Sequence, residues 1–98
     1  MSKLKKSMLS ILACPIDKHY PLILTEISVI RDENTNDEII NTGILYCDSC
    51  TRFYPIIEQI PVMLPDDLRD KQKDLEFLQK WRDHIPTNIS ENALPWHL

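Results

Sequence analysis

Residues 47–56 read Cys47-Asp48-Ser49-Cys50-Thr51-Arg52-Phe53-Tyr54-Pro55-Ile56. A Cys-x-x-Cys knuckle running straight into a β-forming stretch is half of a metal ribbon, because structural zinc takes four donors in a tetrahedron and a ribbon supplies them as two knuckles. The only other cysteine is Cys14, which opens Cys14-Pro15-Ile16-Asp17; an aspartate stands at the place of a fourth cysteine, and His19 follows two residues later. Carboxylates and imidazoles both ligate zinc, so Cys14, Cys47, Cys50 and either Asp17 or His19 form a candidate metal set. The competing reading is a lost site, with an apolar core and a Cys14 disulfide in its place.

Working outward, Leu22 to Ile30 is rich in β-branched residues and alternates in its second half, which predicts a strand after Pro21. The polar run Arg31–Glu38 predicts an exposed hairpin loop, and Ile39–Tyr46 a second strand that delivers the chain to the knuckle. Gly43 lies inside that strand, the usual place of a bulge or a close backbone approach. Two short apolar segments follow, Phe53–Ile57 and Ile60–Leu64, each carrying a proline that cannot donate to a β ladder. Edge strands or bends are therefore expected, and an edge strand can accept a partner's strand.

Before and after this sheet the period changes from two to about 3.6 residues. Lys5–Ala13 spaces Met8, Leu9, Ile11 and Leu12 as a short amphipathic helix that ends before Pro15. Pro65-Asp66-Asp67 reads as a helix start. Leu68, Leu75, Leu78, Arg82 and Ile85, flanked by Phe77 and Trp81, continue it as an amphipathic helix of roughly five turns to Pro86. The division expected is a ribbon-like core over 1–64, a helix over 65–86 and a tail over 87–98 that is either loose or pinned by Leu94 and Trp96. The fold class is α+β, a small antiparallel sheet with a short N-terminal and a longer C-terminal helix.

Composition removes several functions. The chain has 98 residues, a net charge of −4 and one glycine, Gly43. Phosphate loops and dinucleotide fingerprints need glycines where backbone meets ligand, and this chain cannot build them. Its acidic balance lacks the basic stripe of a protein that grips nucleic acid by itself. His19, His84 and His97 are scattered, with no nucleophile and base at recognisable spacing, so no catalysis by this chain is expected. A thiol oxidoreductase would want Cys47 or Cys50 at a helix N-terminus, where β-forming residues follow instead. The apolar run before Cys14 is too short for a signal peptide's core, and no segment approaches a membrane span, which predicts a cytoplasmic protein.

In this order and spacing, Leu9-Ser10-Ile11-Leu12-Ala13-Cys14-Pro15, Gly43-Ile44-Leu45-Tyr46-Cys47-Asp48-Ser49-Cys50 and Phe53-Tyr54-Pro55-Ile56 leading to Ile60-Pro61-Val62-Met63-Leu64 resemble a known family. It is the multifunctional methyltransferase subunit (Trm-one-twelve) family, small activators of class I methyltransferases. The resemblance implies a zinc-ribbon-like fold without activity of its own. Such a subunit binds and stabilises S-adenosylmethionine-dependent methyltransferases acting on tRNA, rRNA or a translation factor, as heterodimers. Partner contacts would fall on Phe53, Ile57, Ile60, Pro61, Val62, Met63 and Leu64, and zinc on the cysteines with Asp17 or His19. Gln59 stands where the family usually has glycine, and Asp17 where zinc-binding members have their second cysteine. The short Arg31–Glu38 loop and the long C-terminal helix look like those of an archaeal member. The alternative is a stand-alone zinc ribbon that binds RNA or a transcription complex.

Overall fold

The computed structural model describes residues 12–98. The sheet is an antiparallel meander of β1 (Ile23–Arg31), β2 (Glu38–Tyr46), β3 (Phe53–Ile57) and β4 (Ile60–Pro61), in that spatial order. Two α-helices follow, α1 (Lys71–Lys80) and α2 (Thr87–Ser90). The α+β expectation is therefore met by a four-strand sheet and two helices. The N-terminal helix expected over Lys5–Ala13 lies outside the described residues except for Leu12 and Ala13, which have no regular structure.

The β1–β2 hairpin closes through local side-chain chemistry. The Asp32 carboxylate accepts from the Asn34 N–H at 2.8 Å and the Thr35 N–H at 3.3 Å. Asn36, a residue type that tolerates the left-handed region, sits there at φ 63°. Further along, β1 shifts register between Glu26 and Val29, and Gly43 faces the start of that irregularity opposite Glu26. A Cβ on Gly43 would come within 2.7 Å of the Thr25 carbonyl oxygen, so the close approach expected from the sequence is real.

β2 and β3 are buried on both faces, and the register explains how. Leu45 pairs with Tyr54 and points to one cluster, with Cys14, Leu22, Ile40, Cys47 and Ile56. Tyr46 pairs with Phe53 and points to the other, where Phe77, Leu78, Ile85, Ile89 and Ala93 cover it. The C-terminal segment is thus the second half of the core.

Its helix is shorter than the apolar stripe predicts. Asp66–Leu68 forms one 3-10 turn, Arg69 is extended, and α1 starts only at Lys71, with the Asp70 carboxylate capping the Lys73 N–H at 3.1 Å. The reason is Arg69, whose guanidinium is drawn into the core to donate to the Phe53 carbonyl and to lie 4.6 Å from the Phe53 ring. A continuous helix from Pro65 would hold it elsewhere. Leu68 is consequently 64% exposed, and the buried positions of α1 are Asp74, Phe77 and Leu78. After Trp81 a second 3-10 turn, Arg82–His84, leads to Pro86 and α2. The last residues are tied back to the sheet, since the Leu94 N–H donates to the Thr51 carbonyl at 2.8 Å and Phe53 donates to the Leu94 carbonyl at 3.2 Å.

β4 is also shorter than the apolar run Ile60–Leu64. Glu58 and Gln59 make the turn at φ 49° and 71°, and regular pairing ends at Pro61, which has no N–H to donate. Arg52 then fastens the chain beyond β4, donating to Asp66 through Nε at 2.9 Å and Nη2 at 2.7 Å.

Two outcomes follow. Gly43→Ala drives a Cβ into the Thr25 carbonyl oxygen and should cost about 1–3 kcal/mol, read as a lower urea midpoint with an unchanged m-value. The Arg52 guanidinium holds Asp66 below its ordinary range. A depressed folded pKa contributes stability above the unfolded value of about 3.9 and loses it as pH falls through the folded value. Arg52→Gln should therefore lower stability at pH 7 by less than about 1 kcal/mol, the pair being part-exposed, and flatten the loss of stability below pH ~4. Urea melts across that range would measure both.

Candidate metal centre and partner surface

Two turns of the same geometry build the site. At the first, the Cys14 N–H donates to the His19 carbonyl and the Lys18 N–H to the Cys14 carbonyl, both at 2.9 Å, with Lys18 at φ 64°. At the second, the Cys47 N–H donates to the Arg52 carbonyl at 2.9 Å and the Thr51 N–H to the Cys47 carbonyl at 2.8 Å, with Thr51 also at φ 64°. Donor, acceptor and left-handed residue fall at the same offsets from the leading cysteine. Asp17 therefore occupies in the first turn the place that Cys50 occupies in the second.

The turns meet so that one donor atom each from Cys14, Asp17, Cys47 and Cys50 lies within 4.8 Å of all the others. The Cys14 and Cys50 sulfurs are 3.6 Å apart, and the Cys47 sulfur is 3.6 and 3.8 Å from the two Asp17 oxygens. Zn–S bonds of about 2.3 Å in a tetrahedron set donors about 3.8 Å apart, so the donor set fits such an ion. All three cysteines are free thiols, and no Cys14 disulfide is formed. His19, the other fourth-ligand candidate, is engaged elsewhere. Its Nε2 lies 2.8 Å from the Asp48 carboxylate, and its backbone N–H donates to Asp17 Oδ1 at 3.0 Å. Asp17, rather than His19, thus completes the group of donor atoms that could hold an ion, and the His19 N–H donates to it.

Electrostatics differ from one member of the cluster to the next. Donation from the His19 N–H holds Asp17 down to about 2. Burial pushes the Cys47 thiol up to about 12. Burial also pushes Cys50 up, but N–H and guanidinium donation from Arg52 outweigh it, and the net direction is down. The Tyr54 hydroxyl lies 3.0 Å from the Cys14 sulfur. That contact sets a hydroxyl against a fully buried sulfur, as outer-sphere partners do for metal ligands.

The expected partner residues divide into two groups. Phe53 is fully buried in the chain's own core, so it cannot present its ring to a partner; its parity in β3 points it at α1. Ile57, Ile60 and Leu64 are 43%, 47% and 37% exposed, while Pro61, Val62 and Met63 are half-buried. Met63 packs against the cysteine-side cluster. Ile57, Ile60, Val62 and Leu64 line a groove of about 440 Å³ whose far wall is Leu68, Arg69 and Lys73. The sequence places Leu68 in the apolar stripe of a long helix and does not single it out as a groove residue.

Among the described residues, no helix is long and apolar enough to cross a membrane. No curated protein and no solved structure matches the chain. The family model of the Trm112p-like protein matches residues 5–58, more than half of the 98 residues and both knuckles. Twin knuckles on one antiparallel sheet and this match lead to one conclusion: the chain belongs to the Trm112p-like family, whose members are in general non-catalytic subunits that activate methyltransferases.

Proposed function

We propose that this chain is the activating and stabilising subunit of S-adenosylmethionine-dependent class I methyltransferases that modify tRNA, rRNA or translation factors in the cytoplasm. It does so as a heterodimer, with zinc held by Cys14, Asp17, Cys47 and Cys50. The observation that carries the reading is the pairing of family membership with an apolar groove left open at the β4 edge. Ile57, Ile60, Pro61, Val62, Met63 and Leu64 supply the contact; β4 offers backbone for strand addition, and the groove takes apolar side chains that the partner alone would expose to water. The net charge of −4 favours contact with a protein surface over contact with RNA. Zinc, when bound, cross-links the two knuckles. The residues themselves orient the site: His19 and Asp48 bridge its rim, and Tyr54 anchors Cys14 from beneath.

A stable interface buries about 1,200–2,000 Å² in total. Val62→Asp places a charge at its centre and should weaken association by at least about a hundredfold, close to 3 kcal/mol, while the isolated variant keeps its circular dichroism and melting temperature. Co-expression with class I methyltransferases and pull-down reads this; an intact complex removes the β4 edge from the interface. Salt-sensitive RNA binding by the chain alone would favour the stand-alone ribbon instead.

Native mass spectrometry of the free subunit should show one zinc per chain, absent from Cys47→Ser. Because donor residues are brought together only by folding, zinc should also raise the melting temperature of the wild type and leave that variant unmoved. A wild type that stays metal-free under excess zinc would overturn this part of the reading.

A further inference from the structure

The two knuckles share a backbone but not a chemistry. Cys14 and Cys47 are fully buried and Cys50 is half-buried, whereas Asp17 is exposed. Soft sulfur donors hold zinc more firmly than a carboxylate oxygen. The hardest donor in the set is thus also the one that faces solvent.

The alternative partner of Asp17 is already in place. Its Oδ1 accepts from the His19 N–H at 3.0 Å inside the same turn, so the carboxylate keeps a hydrogen bond when it is not on a metal. The sulfurs have partners too, Tyr54 for Cys14 and Arg52 for Cys50, but Cys14 and Cys47 lie in the interior of the cysteine-side cluster and have no path to turn toward solvent. The His19–Asp48 contact at 2.8 Å spans the rim beside Asp17 and keeps the two turns together without help from the ligand. A side-chain rotation at Asp17 therefore opens the centre without moving the backbone of either knuckle.

We propose that Asp17 makes this centre exchangeable: it is the ligand that lets go first, so the chain gains and loses zinc at its solvent face while the fold persists. The inference rests on the zinc reading above and deepens it, from a site that holds the ion permanently to one whose occupancy follows the zinc available. Replacing the carboxylate by a thiolate at the same position would close the door that the sequence leaves open.

The test uses the full chain as wild type, Asp17→Cys, Asp17→Asn and Asp17→His, loaded with zinc and mixed with an excess of a colorimetric zinc chelator. Wild type should release its ion at least tenfold faster than Asp17→Cys, and Asp17→Asn faster still; Asp17→His, a conservative nitrogen ligand, should fall between wild type and Asp17→Cys. Cobalt(II) loading gives a second readout independent of stability. The ligand-field bands should move to longer wavelength in Asp17→Cys, where sulfur replaces oxygen. Circular dichroism before and after release should stay unchanged in the wild type. Wild type that binds zinc but releases it no faster than Asp17→Cys, or cobalt bands identical in the two, overturns this inference alone. Wild type that binds no zinc overturns it together with the reading on which it rests.

Discussion

A buried guanidinium joins the two halves of this molecule. Arg69 has a side chain only 1% exposed, and it donates to the Phe53 carbonyl while lying over the Phe53 and Tyr54 rings at 4.6 and 5.2 Å. Its Nε is 3.1 Å from Asp74, an ion-pair contact without hydrogen-bond alignment, and Asp74 in turn accepts from the Trp96 indole at 3.1 Å. Burial pushes Arg69 down and Asp74 up, each direction disfavouring its charge, and each charge is kept by the other. Breaking such a pair by removing one member leaves a buried charge alone, a loss of about 3–5 kcal/mol. Strand, helix and tail all converge on this contact. It also sets one wall of the groove at β4, so the candidate partner surface depends on it.

What the sequence made legible was what local chemistry controls. The hairpin over Asp32–Asp37 is closed by a side chain two and three residues from its targets, and the Cys47 knuckle closes on itself. The fourth member of the clustered donor set was readable because Asp17 keeps the cysteine's spacing. Choosing it over His19 needed the Asp48 contact, which links residues that spacing does not relate.

The facing of Phe53 could not be read because β3 is covered on both sides. Alternation tells Phe53 from Tyr54 but not which of two buried faces belongs to which. The long helix failed for a similar reason. A stripe from Leu68 to Ile85 satisfies helical period, yet the pull on Arg69 is a tertiary force that breaks the helix at its first turn. Period describes what a segment would do alone.

The parallel bridge between Arg52 and Leu94 ties the residues just after the second knuckle to the chain's last stretch. Its consequence concerns the order of assembly. Ile44, Tyr46 and Phe53 have no cover until Phe77, Leu78, Ile85 and Ile89 arrive, so a nascent chain that has completed its sheet still exposes half of its core. Loop closure across so many residues is entropically slow, and the sheet waits unshielded meanwhile. Docking of α1 and α2, rather than completion of the sheet, is therefore the step that covers this half of the core.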